Sequence, residues 1–182
     1  MAITKIQSES LNLADDFAFT GTITGAGGIT EADTFRLSSA QSITAGVTTT
    51  LTGFSRDNEI TFGKIGTGLS ESSGVFTFPS TGIYFLNLNV YFYRTGDITY
   101  CSQKIVGTTN GVDYNTMTYH DQSMKQVVGN TYHNSYLSAI FDCQNTSTHK
   151  VKFQIYGTHD LTVEGQANDG HTYVHAIRLG DT

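Results

Sequence analysis

"GVFTFPSTGIYFLNLNVYFY", Gly74–Tyr93, is the stretch whose reading decides the fold. It holds the chain's only proline, and from Ile83 to Tyr93 it runs without a charge or a glycine. Side chains alternate across a strand, so residues two apart share a face. Tyr84, Leu86, Leu88, Val90 and Phe92 then form an unbroken apolar row, as a strand buried on one side requires. Ile83, Phe85, Asn87, Asn89, Tyr91 and Tyr93 form the other row, aromatic at its ends and amide in its middle. The solvent face of a lone subunit would carry Lys, Glu, Thr or Ser. This row asks for a cover, from the chain itself or from another subunit, because aromatics are enriched and charges depleted where proteins meet.

The rest of the chain agrees with a β reading. Charged residues make up 14% of the 182 residues, against roughly 25% in an ordinary soluble protein. Apolar and polar residues alternate in "AGVTTTLT", "EITFGKIG", "GVFTF", "ITYCSQKIV", "NTMTYHD", "TYHNSYLSAIFDC", "KVKFQIYGT" and "HTYVHAIRLG". Gly, Asn, Asp and Ser punctuate these runs, which is the pattern of an all-β sandwich. Residues 1–40 differ: "LNLADDFAFTGTITGAGG" ends in glycines that would break any element. The expected organisation is an N-terminal extended arm over 1–40, with a short strand or hairpin, and a main domain over 41–182.

Several functions are excluded or disfavoured. The net charge of −6, with 10 basic residues scattered along the chain, argues against nucleic acid as a partner. No apolar run approaches the length of a membrane-spanning helix. "MAITKIQSESLNLADD" lacks the apolar centre of a secretory signal, so no signal peptide and no membrane insertion are expected. Cys101 and Cys143 do not make a disulfide framework and read as two buried thiols, although a bridge stays open if their Cα atoms lie within about 7 Å. There is no Gly-x-Ser-x-Gly nucleophile turn. His171 and His175 are four apart, but on a strand that is about 13 Å, too far for one ion. "EGQANDGHT", Glu164–Thr172, reads as a turn rather than a calcium loop. No catalytic residue, metal or cofactor is expected, and the chain does not read as an enzyme.

Gly74, Phe76, Pro79, Gly82, Tyr84 and Leu86 carry a resemblance to the complement-C1q-like and tumour-necrosis-factor-like jelly rolls. That family often has Phe where Leu86 stands. "KVKFQIYG" resembles its penultimate strand, and Thr172, Val174, Ala176 and Leu179 resemble its closing strand, with Tyr173 and Ala176 departing from the usual Phe and Gly. The resemblance implies an all-β jelly roll of about ten antiparallel strands that assembles as a homotrimer and binds rather than catalyses. A second resemblance lies in the arm. "ITKIQSESLNLADDFAFTGTITGAGG" is similar to the start of structural proteins of tailed bacteriophages, especially marine phages and cyanophages.

Together the resemblances imply a virion protein that docks by its arm and projects as a tail-fibre tip or receptor-binding adhesion element. The alternatives are a capsid head decoration (cement) protein and, in another class, a secreted C1q- or cytokine-like ligand-binding module. The implied partners are further copies of the chain, capsid, tail or fibre proteins, and a host surface glycan. For glycan contact the polar aromatic segment Val106–Gln122 nominates Asn110, Asp113, Tyr114, Tyr119 and His120. For contact with a subunit or with the arm, the uncharged row nominates Phe85, Tyr91 and Tyr93.

Overall fold

The computed structural model describes residues 28–56 and 63–182. Most of the arm expected over 1–40 lies outside the described residues, as does the first half of the strand expected at 59–66.

Thirteen strands and no helix occur among the described residues. They are β1 (Ala32–Leu37), β2 (Gln41–Ile43), β3 (Thr49–Thr50), β4 (Phe54–Ser55), β5 (Ser70–Ser72), β6 (Val75–Thr77) and β7 (Gly82–Thr95). After them come β8 (Ile98–Thr108), β9 (Asn115–Met124), β10 (Asn130–Cys143), β11 (Lys150–Gly157), β12 (Leu161–Val163) and β13 (Tyr173–Gly180). One sheet of seven strands runs β2-β12-β7-β13-β1-β4, with β10 along the other edge of β7. The other, of six, runs β5-β6-β11-β8-β9, with β3 beside β11. All pairings are antiparallel.

The opening strand behaves as its alternation predicts. Tyr84, Leu86, Leu88, Val90 and Phe92 are all fully buried between the sheets. β11 mirrors it from the facing sheet with Val151, Phe153 and Ile155. Four phenylalanines from four strands lock the two layers: Phe76 meets Phe35, Phe54 and Phe153 edge-on, with ring centroids 5.2, 5.4 and 5.1 Å away.

The boundary expected near residue 41 moves. β1, inside the segment read as an arm, is an integral strand that pairs with β13 from Ala32 to Arg36 and with β4 at Arg36 and Leu37. It buries Phe35 and Leu37 in the core. It also buries Asp33, a carboxylate that alternation puts on the same inward face as Phe35 and Leu37. The Asp33 carboxylate accepts from Arg56 Nε at 2.9 Å and Nη2 at 2.6 Å, and from the Leu69 N–H at 2.8 Å. Arg56 in turn donates to the Leu69 carbonyl and lies over the Phe35 ring, 4.5 Å from its centre. Hydrogen bonding to Asp33 raises the Arg56 pKa against the opposing effect of burial. Arg56→Met leaves a buried carboxylate without its cation. The expected loss is about 2 kcal/mol, less than for a fully buried pair because Arg56 is partly solvated. Chemical denaturation measures it.

Gly74 of the quoted motif has a stated reason. Its φ is +81°, and a Cβ there would lie 2.5 Å from the Leu51 carbonyl oxygen. Gly74→Ala is expected to cost about 2 kcal/mol, from left-handed strain plus a backbone clash, read as a lowered denaturation midpoint.

Cys101 and Cys143 are both buried and free. Burial pushes the Cys101 thiol up to about 12, so it stays protonated. Its unfolded counterpart ionises first, so this group costs stability as pH rises from about 9 toward 12.

Candidate functional site

The face of β7 turned away from the core joins equivalent faces of β10 and β13, because residues opposite one another in an antiparallel ladder point the same way. Three rows cross the sheet. Ile140, Phe85 and Ile177 form one; Ser138, Asn87 and His175 the next; Tyr136, Asn89 and Tyr173 the third. Beyond them Asn134 lies opposite Tyr91, and Tyr132 opposite Tyr93. No Lys, Arg, Asp or Glu stands in these rows. One end is aliphatic and the other is a cluster of rings: Tyr132 lies 5.5 Å from Tyr91 and 5.0 Å from Tyr93, and Tyr173 stacks on His175 at 4.8 Å. Tyr132, Tyr136, Ile140 and Leu179 are exposed, Ile140 to 65%. Leu179 matches the apolar position of a closing strand, yet it lies three residues past the buried Ala176 and so falls on the outward face.

The backbone explains a cavity in this face. β13 follows β7 only up to Asn89, and β12 takes over at Phe92. In the gap Thr172 Oγ1 bridges the Tyr91 amide and carbonyl at 3.1 and 3.3 Å, and the Glu164 N–H donates to the same carbonyl at 2.7 Å. What is left is a cavity of about 360 Å³, among Asn89, Tyr91, Asn134, Tyr136, His171 and Tyr173. Asn89 is only 2% exposed. Its Nδ2 donates to the His171 carbonyl at 2.6 Å, but its Oδ1 has no hydrogen-bond partner among the described residues, and neither does His171 Nδ1. Buried polar groups are normally satisfied, and each orphan costs about 1–3 kcal/mol. Burial holds His175 below its ordinary pKa, so it is neutral at pH 7, and raises that of Tyr173. The rows from Ile140 to Tyr93 are therefore uncharged as well as aromatic.

Phe85, Tyr91 and Tyr93 all lie on this face, half-buried. The five residues nominated for a glycan do not converge. Asn110 organises the turn after β8: its Oδ1 accepts from the amides of Val112 and Asp113 at 2.9 and 2.8 Å, and its Nδ2 donates to Asp113 at 2.8 Å. Tyr114 lies under the Lys152 ammonium, 3.7 Å from the ring centre. His120 reaches the other way, with Nδ1 2.8 Å from Ser135 Oγ of β10. Tyr119 lies apart from the other four, on the outward face of β9 opposite Lys104. The nomination of Tyr132, Tyr136, Ile140, Tyr173 and Ile177 was missed. The same test of alternate residues for missing charge, applied to "TYHNSYLSAI", finds those of β10.

No protein-family model and no curated protein matches the chain by sequence. Solved structures do match its fold. Murine APRIL at pH 8.0 superposes with a TM-score of 0.58 at 15% identity, over 82% of this chain and 98% of that one. Eiger TNF from S. frugiperda superposes with a TM-score of 0.59 at 12% identity, over 83% and 93%. The chain thus folds as an all-β, tumour-necrosis-factor-type jelly roll of two antiparallel sheets.

Proposed function

We propose that the protein is a non-enzymatic binding module that works as a homotrimer, with the β10–β7–β13 face as its subunit contact. One observation carries this reading: three adjacent strands turn a continuous aromatic and aliphatic face away from the core, without a charge from the Ile140–Phe85–Ile177 row to Tyr132 and Tyr93 and with Asp142 only at its margin, opposite Ile83. Monomers rarely leave such a patch open. The orphaned Asn89 and His171 atoms support it, since a second copy can bring the missing partners. The face argues for a partner copy; the number three comes from the resemblance to the C1q-like and tumour-necrosis-factor-like group, and the jelly-roll fold is in keeping with it.

The resemblance of the N-terminal residues to tailed-phage structural proteins supports a place in the virion. There the first residues dock onto the particle and the six-stranded sheet faces outward, as a tail-fibre tip or adhesion element. Purified protein added to host cells before infection should then reduce phage adsorption. Unchanged adsorption, with many copies per head, would favour capsid decoration. The fold neighbours favour a second reading, a secreted cytokine-like module. It requires saturable binding to a cell-surface receptor protein instead of virion incorporation.

A further inference from the structure

We propose that the outward face of the six-stranded sheet holds a saccharide subsite between β8 and β9, built from Tyr100, Ser102, Lys104, Tyr119 and Asp121. This names the ligand class for a surface that the proposed trimer leaves free, and in that sense rests on that reading.

The placement follows from register. Cys101 and Ile105 point into the core, so Tyr100, Ser102 and Lys104 point out. Across the ladder Ser102 is opposite Asp121 and Lys104 is opposite Tyr119. These side chains and Thr116 line a groove of about 280 Å³. Tyr100 and Tyr119 keep 38% and 61% of their surface open to solvent. The Tyr100 ring is steadied edge-on by Tyr156 at 5.9 Å. Ser102 differs from an ordinary surface serine. It is 1% exposed, and its Oγ sits near the Tyr100 phenol without a well-formed hydrogen bond among the described residues, while that phenol also engages Asp121 across the ladder.

The lining selects a chemistry. An aliphatic ligand would strip water from a lysine and a carboxylate without replacing it. A polyanion would meet Asp121 on a chain of net charge −6. A divalent cation would find one carboxylate and a lysine. A neutral sugar ring suits a tyrosine face, Asp121 and Lys104 together. Its C–H face stacks on a tyrosine, one hydroxyl donates to Asp121 and another accepts from Lys104, while Ser102 forms the floor beneath. The groove falls just below the usual range for small-ligand sites, so it takes a single ring.

The test uses the full chain and four probes, the methyl glycosides of glucose, galactose, mannose and N-acetylglucosamine, followed by saturation-transfer NMR. At least one should show saturable millimolar binding. Tyr119→Ala and Asp121→Asn should each weaken it tenfold or more, while Tyr114→Phe should leave it unchanged. Tyr119 is exposed, so its loss should not disturb folding; circular dichroism checks this. Absence of saturable binding for all four probes overturns the subsite, as does equal binding in both groove variants. Light scattering on the same samples reads assembly separately, so an assembled protein that binds no sugar refutes the subsite and leaves the trimer standing.

Discussion

Ile140→Lys is expected to leave the chain folded and to abolish its self-association at micromolar concentration. Ile140 is 65% exposed in the single chain, so a lysine there keeps its hydration and the fold has little to lose. In an assembly the same position lies in the apolar row of Phe85 and Ile177, one row in from Asp142, whose carboxylate accepts from Gln144. Burying one unpaired charge in such a contact costs about 2–5 kcal/mol, or roughly thirtyfold to several thousandfold in the association constant. A closed ring repeats the lesion at each contact. Sedimentation measures the outcome. A variant with the wild-type mass would show that this face is not the contact.

Phe76→Ala is expected to be the most damaging single truncation in the core. Phe76 is fully buried and touches three other rings, from β1, β4 and β11. Removing it leaves a cavity that rigid neighbouring rings cannot close, and the expected loss is about 4 kcal/mol. Native domains have only about 5–15 kcal/mol in hand, so the variant should be largely unfolded at modest urea. Protein concentration must be held constant, because assembly adds to apparent stability. A loss below about 1 kcal/mol would mean that the two sheets are not locked through this cluster.

What could be read from sequence depended on strand length. β7, β8, β10, β11 and β13 run for 14, 11, 14, 8 and 8 residues, long enough for alternation to declare both element and face. β2, β4, β5 and β12 are two or three residues long and carry no period at all. β1 was hidden for another reason. "ADTFRL" places Asp33 and Arg36 in buried positions, and the partners that make Asp33 tolerable there, Arg56 and the Leu69 N–H, lie 23 and 36 residues on. The uncharged face was legible strand by strand, as the Phe85–Tyr91–Tyr93 row demonstrates. Its extent was not, because Tyr136, Asn89 and Tyr173 meet only through register. The glycan nominees are not all brought together, because composition does not report which face or loop a residue joins: the Asn110 hydrogen bonds serve its own loop, while Tyr119 lies in the β8–β9 groove. The β8–β9 groove likewise depends on Ser102 lying opposite Asp121, a pairing that no local pattern announces.

The central claim, that the β10–β7–β13 face joins copies of this chain, is tested most directly by the mass of the intact protein in solution. Light scattering at micromolar concentration should give three times the 19.8 kDa of one chain, with Ile140→Lys falling to one. A wild-type mass of 19.8 kDa under the same conditions would contradict it.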